Sequence, residues 1–234
     1  MRDCFHRHDL VAIVPAVRRS ITVEVLGDAA WWPSDAVEQL LRGEVKGVAL
    51  PGIVSRQEGD APGLSVGFAS PYRQKGVRLR GRAVVPFSSV SLIRDPYQVI
   101  TDARCTAVPN LPVFDVLDEA WALASAAGLP CGVFGSVALA LATGLPYCHE
   151  ESDLDLVVKL GALDAVERFH DAVCALSRES GVAIDVELEL PDGAGIKLAE
   201  LFDEGNTVLA KGFTGVCLMG KDAVRAMDHR YQLS

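Results

Sequence analysis

The chain has 234 residues, is 50% hydrophobic but only 6% aromatic, and carries a formal net charge of −9. That length suffices for one large or two small cores, and no run of 18 apolar residues is present to cross a membrane. Six cysteines without CxxC spacing and an N-terminus without a leader's apolar stretch argue against a disulfide framework, a structural zinc site and export, so a cytoplasmic protein is expected.

In chain order, the Val/Ile-rich segment Leu10 to Leu26 predicts two short strands. Ser34-Asp35 caps an amphipathic helix, Ala36 to Arg42, which stops at Gly43. Val45 to Pro51 reads as a strand, and Pro51 to Gly63 as a loop. Val77 to Val85 alternates, with Val77, Leu79 and Gly81 on one face and Arg78, Arg80 and Arg82 on the other, a half-exposed strand. Asp95-Pro96, Pro109 and Pro112 mark a connection between domains spanning 1–110 and 111–234.

The second half has stronger periodicity. It predicts a helix from Val113 to Ala127, a buried strand from Leu129 to Phe134, and a helix from Val137 to Ala142 stopped by Gly144. A strand from Leu154 to Val158, a long helix from Leu163 to Arg178 and a strand from Val182 to Leu190 follow. After a turn at Pro191-Asp192-Gly193 come a short helix from Leu198 to Glu204, a hairpin from Thr207 to Met219 and a closing helix from Lys221 to His229. The fold class is therefore α+β: a C-terminal mixed sheet with helices packed on it, plus a smaller N-terminal α+β domain.

Charge divides unevenly. Residues 1–110 sum to +3 and residues 111–234 to −12. An acidic half suits cation binding and a mildly basic half suits an anionic substrate, whereas the whole is a poor match for nucleic acid.

Chemistry concentrates around residues 135–190. Side chains two apart on a strand share a face, so Asp153 and Asp155 point together while Leu154 and Leu156 enter the core. Adjacent carboxylates repel unless a cation lies between them or water solvates them, and Mg²⁺, or Mn²⁺, accepts such hard oxygen ligands. On the later strand Asp185, Glu187 and Glu189 share the polar face. Asp185 is the expected third catalytic and metal-binding carboxylate, with Glu187 the alternative. Gly135-Ser136 opens a helix whose free N–H groups form an anion site; glycine permits close approach and serine adds a donor. Each feature alone is common in strand ends and turns. Their order on strand, helix, strand, helix, strand points to phosphoryl chemistry.

The order resembles the nucleotidyltransferase superfamily with the DNA polymerase β-like fold. A narrower likeness runs through Gly135-Ser136-Val137-Ala138, Thr143-Gly144-Leu145-Pro146-Tyr147-Cys148-His149, Ser152-Asp153-Leu154-Asp155-Leu156, Leu190-Pro191-Asp192-Gly193, Glu200-Leu201, Val208-Leu209-Ala210-Lys211 and Arg7-His8-Asp9-Leu10. It is similar to the malonate decarboxylase holo-acyl-carrier-protein synthase family, also called phosphoribosyl-dephospho-CoA transferase. The resemblance implies 2′-(5″-triphosphoribosyl)-3′-dephospho-CoA as donor, a serine of the malonate decarboxylase acyl-carrier subunit as acceptor, and pyrophosphate as leaving group. Gly135, Ser136, Asp153 and Asp155 match the superfamily motif directly, and Asp185 matches by position.

Other residues have two readings each. Arg78 and Arg80 could hold donor phosphates or form a solvated strand face; Lys211 could reach the pyrophosphate or sit on a hairpin surface. Arg7-His8-Asp9 reads as a local ion pair. The alternatives to the carrier transferase are an enzyme transferring AMP from ATP and a non-catalytic regulator; intact Asp153 and Asp155 argue against the latter.

Overall fold

The computed structural model describes residues 5–57, 62–103 and 109–231. Two six-stranded sheets carry the core, so the α+β class holds.

The first sheet is antiparallel, in the order β2 (Glu24–Leu26), β7 (Val77–Val85), β6 (Leu64–Gln74), β5 (Gly52–Val54), β1 (Leu10–Ile13) and β8 (Val90–Arg94). Leu79, Gly81 and Val85 are buried on one face of β7, against helix α2 (Ser34–Arg42), while Arg80, Arg82 and Val84 are exposed on the other. Helix α2 ends at Gly43, φ 75°, as its sequence required.

Three expectations in this half need correction. Between β1 and β2 the chain forms a helix, α1 (Pro15–Ser20), instead of running as two strands only. Proline at the first helical position is pre-set for a helix, and Arg18 is buried to donate to the Leu40 and Leu41 carbonyls that end α2. The expected strand from Val45 is a tiny hairpin, β3 (Glu44–Val45) and β4 (Val48–Ala49), because Lys46 and Gly47 both take positive φ. Strand β5 lies inside the expected loop Pro51 to Gly63, of which residues 58–61 are outside the described residues.

The second sheet runs β14 (Val216–Gly220), β13 (Thr207–Lys211), β12 (Gly195–Lys197), β11 (Ile184–Glu189), β10 (Leu154–Lys159) and β9 (Cys131–Phe134). Only β10 and β11 pair parallel among its described strands. Their connection is helix α6 (Leu163–Ser180), closed by Gly181. Helices α3 (Pro96–Ala103), α4 (Pro112–Ala126), α5 (Gly135–Thr143), α7 (Leu198–Phe202) and α8 (Lys221–Tyr231) complete this half. Strand β12 is an addition; three residues between a turn and a helix carry too little periodicity to be read in advance.

A loop from this second half fastens the two sheets together. Strand β6 bulges between Ala69 and Arg73, freeing the Ser70 and Pro71 carbonyls. Buried Arg78 donates to both, and also at 2.6 Å to the carbonyl of Tyr147, in the loop after α5. Tyr147, 1% exposed, returns a hydroxyl bond to the Ala69 carbonyl at 2.9 Å. Among the described residues no helix is long and apolar enough to cross a membrane.

Candidate active site

Strand β9 delivers the chain to Gly135, where φ is 67°. A Cβ at Gly135 would collide with Asp155 Oδ2, so this position admits glycine for two reasons, backbone and space. Register explains the approach: on β10, Asp155 is flanked by Phe134 on one side and Asp185 on the other. Leu154 and Leu156 are fully buried on the opposite face, as the alternation requires. Ser136 follows in the first turn of α5. Its Oγ is buried and, among the described residues, has no hydrogen-bond partner in good geometry, although the Cys148 thiol lies close enough to feel it.

Asp155 is a mostly enclosed carboxyl among like charges. Burial, followed by the charges of Asp153, Asp185 and Glu187, pushes its pKa up to about 7; Arg80 opposes the rise. Asp153 is exposed at the mouth of β10.

The third acid behaves differently from its neighbours. Asp185 shares the face of Asp155 but is half exposed and paired with Lys197 at 3.1 Å. Among the described residues, no group of three or more His, Cys, Asp and Glu side chains is gathered as a metal cage. Asp155 and Asp185 are neighbours on adjacent strands with Asp153 just before β10, but the third acid is held away by a lysine.

Glu187, the alternative third acid, is the hub of a cluster whose other members the sequence did not assign to it. Arg7 reaches it with both terminal nitrogens, at 3.1 and 3.2 Å, and donates a further bond to the Lys211 carbonyl at 3.0 Å. His8 Nε2 lies 3.1 Å from the same carboxylate, and its ring stacks on Phe134 with centroids 3.9 Å apart. Burial alone would raise Glu187; the His8 bond and the charges of His8 and Arg7 outweigh it and hold the acid at about 2. His8 adopts φ 72°, a strained state for a non-glycine residue. The local pair expected within Arg7-His8-Asp9 is therefore replaced by a contact some 180 residues away. Asp9 instead is buried and accepts the His6 N–H at 2.8 Å.

Arg7 and His8, but not Glu187 or Asp185, border a cleft of about 1150 Å³ between the sheets. Gly135, Ser136, Asp153 and Asp155 line one side with Lys211, and the β7 arginines line the other. Arg80 is exposed there and close enough to influence Asp155. Arg78 borders the cleft, yet its guanidinium is committed to three backbone carbonyls. Lys211, 40% exposed, stands 4.0 Å from Glu187. Cysteines 131, 148, 174 and 217 are free thiols; Cys4 and Cys105 lie outside the described residues.

Known proteins identify the family. The family profile described as phosphoribosyl-dephospho-CoA transferase MdcG C-terminal domain matches residues 98–222. A phosphoribosyl-dephospho-CoA transferase of Xanthomonas campestris pv. campestris (strain 8004) is 32% identical over 179 residues, 74% of this chain and 80% of that protein. Proteins of the same name from Pseudomonas fluorescens (strain Pf0-1) and Bradyrhizobium diazoefficiens are each 28% identical, covering 91% and 92% of this chain and 91% and 90% of their own. No solved structure matches. The chain belongs to the MdcG family of phosphoribosyl-dephospho-CoA transferases and is a transferase enzyme.

Proposed function

We propose that the protein transfers the phosphoribosyl-dephospho-CoA group from 2′-(5″-triphosphoribosyl)-3′-dephospho-CoA to a serine of the malonate decarboxylase acyl-carrier subunit, on a polymerase β-like catalytic fold. The carrying observation is the close approach of Asp155 to Gly135 beside the buried Ser136 hydroxyl, all facing a cleft walled by arginines. The N-terminus of α5 and Ser136 receive oxygens of the triphosphate. The acceptor oxygen attacks the phosphorus nearest the ribose in line with the departing bond; a new P–O bond forms as the bond to pyrophosphate breaks. Lys211 and Arg80 meet the charge that accumulates on the leaving group.

Two of the expected donors, Asp153 and Asp155, suit a divalent ion. Asp155 and Asp153 offer carboxylate oxygens that no cation hydrogen-bonds among the described residues, and like-charge crowding at Asp155 is the condition that an ion relieves. Asp153, Asp155 and, once released by Lys197, Asp185 would hold Mg²⁺ or Mn²⁺, which when bound supplies charge neutralisation at the phosphates. Asp185, beside Asp155 in the parallel register, would take the serine proton once Lys197 lets it go. Glu187, held by Arg7 and His8, organises the site and does not serve as the third acid.

The test mixes the protein with the triphosphoribosyl donor, Mg²⁺ and the carrier subunit, and weighs the carrier by mass spectrometry. The expected outcome is a mass increase equal to the transferred group, absent with Asp153→Asn or Asp155→Asn. An unmodified carrier, together with AMP transfer from ATP, would replace this reading by the adenylyl-transferring alternative.

A further inference from the structure

The cleft extends well past the reacting groups, along the outer faces of β7 and β6. Arg80, Arg82 and Val84 follow each other on that face of β7, a run of about 13 Å that leads away from Asp155. In register with Arg82 on β6 lies Gly67, where a Cβ would meet only the Ile53 carbonyl oxygen, at 3.8 Å. The floor beside Arg82 is thus bare backbone. Leu26 and Val84, 42% and 46% exposed, give the cleft apolar edges, and the exposed Arg56 borders it from beyond β5.

Glu24 holds the Arg82 guanidinium edge at 2.8 Å, which leaves its flat face for stacking, while Arg80 and Arg56 bring charge to either side of the bare strand; arginine stacks on ring faces and also pairs with phosphate. Apolar walls with a few placed charges are the usual make-up of a cofactor subsite. We propose that this face, centred on Gly67, binds the adenosine diphosphate portion of the donor's dephospho-CoA half, apart from the reacting triphosphate. The assignment rests on the function proposed above and divides the donor between the sheets: the second sheet handles the phosphorus under attack, and the first grips the non-reacting nucleotide.

The test is calorimetric titration of the full chain with dephospho-CoA, which lacks the triphosphoribosyl group and cannot react. Inorganic triphosphate with Mg²⁺ reports on the other end. Gly67→Leu fills the open floor at a residue without positive φ, and is expected to weaken dephospho-CoA about tenfold; Arg56→Ala should weaken it about threefold. Triphosphate affinity should stay within about twofold in both. If circular dichroism shows Gly67→Leu unfolded, Arg56→Ala decides alone. Unchanged dephospho-CoA affinity in the folded variants overturns the subsite, as does a wild-type protein that transfers the group yet never binds dephospho-CoA. A wild-type protein that neither binds triphosphate nor transfers the group brings down the functional reading first, and the subsite with it.

Discussion

Asp155 trades stability for chemistry. Its carboxyl titrates near 7 in the folded chain against an ordinary value of 3.8, and buried Asp9 is similarly raised, to about 6. For both, burial is the first cause. An acid whose folded pKa is raised contributes stability that is complete below its unfolded pKa and is lost as pH climbs through the folded one. Without divalent ions the protein should therefore become less stable between about pH 4 and pH 7, read as a falling melting temperature. Asp155→Asn should abolish transfer yet gain roughly 2 kcal/mol at pH 8, about half of what the shift implies once solvent screening is allowed for. A variant less stable than wild type at that pH would contradict the crowding argument. Glu187 has the opposite sign: held at about 2, it contributes stability above its unfolded value of 4.5 that is lost as pH falls through that range. Glu187→Gln leaves Arg7 and His8 without their carboxylate, and is expected to cost roughly 3 kcal/mol in denaturant unfolding as well as transfer activity.

Among the elements, the loop between α5 and β10 decides whether Asp153 and Ser136 face the same opening. Arg78 holds that loop through the Tyr147 carbonyl and simultaneously satisfies the β6 bulge. Burial, with the charges of Arg73 and Arg80, lowers its pKa to about 10, so it stays charged at neutral pH. Arg78→Ala should cost roughly 3 kcal/mol, since three carbonyls lose their donor, while Tyr147→Phe removes one bond worth about 1 kcal/mol. Equal melting temperatures for wild type and Arg78→Ala would reject the fastening role. Much of this was legible beforehand. Alternation in Val182 to Leu190 and the glycine stops at Gly144 and Gly181 wrote the second half plainly, and they placed Asp155 beside Asp185. The first half was opaque where position, rather than pattern, decides the outcome. Pro15 starts a helix because Arg18 has carbonyls to cap; Arg78 is buried because a loop 69 residues later settles over it, although it alternates with exposed arginines. The Arg7–Glu187 bond joins residues 180 apart in the chain, and no local spacing announces it.

For the whole molecule, the opposite charges of its halves acquire a meaning. The basic half supplies the arginine wall and the acidic half the carboxylates, and the cleft lies where they meet. A divalent ion bound only in the folded state must stabilise the protein by mass action. Millimolar Mg²⁺ should raise the melting temperature of wild type by a few degrees, and leave Asp155→Asn unmoved, in a fluorescence thermal scan. An equal rise in both would place the ion elsewhere.

The parallel pairing of β10 with β11 has a consequence for quality control inside the cell. Val186 and Leu188 fill the interior from the same short segment that carries Asp185 and Glu187 on its opposite, polar face. Sliding that segment by a single position would bury two acids and strand two aliphatic side chains in water. A mispaired chain cannot then survive as a sluggish catalyst: the error that scrambles the reacting groups also dissolves the interior, and proteolysis removes it.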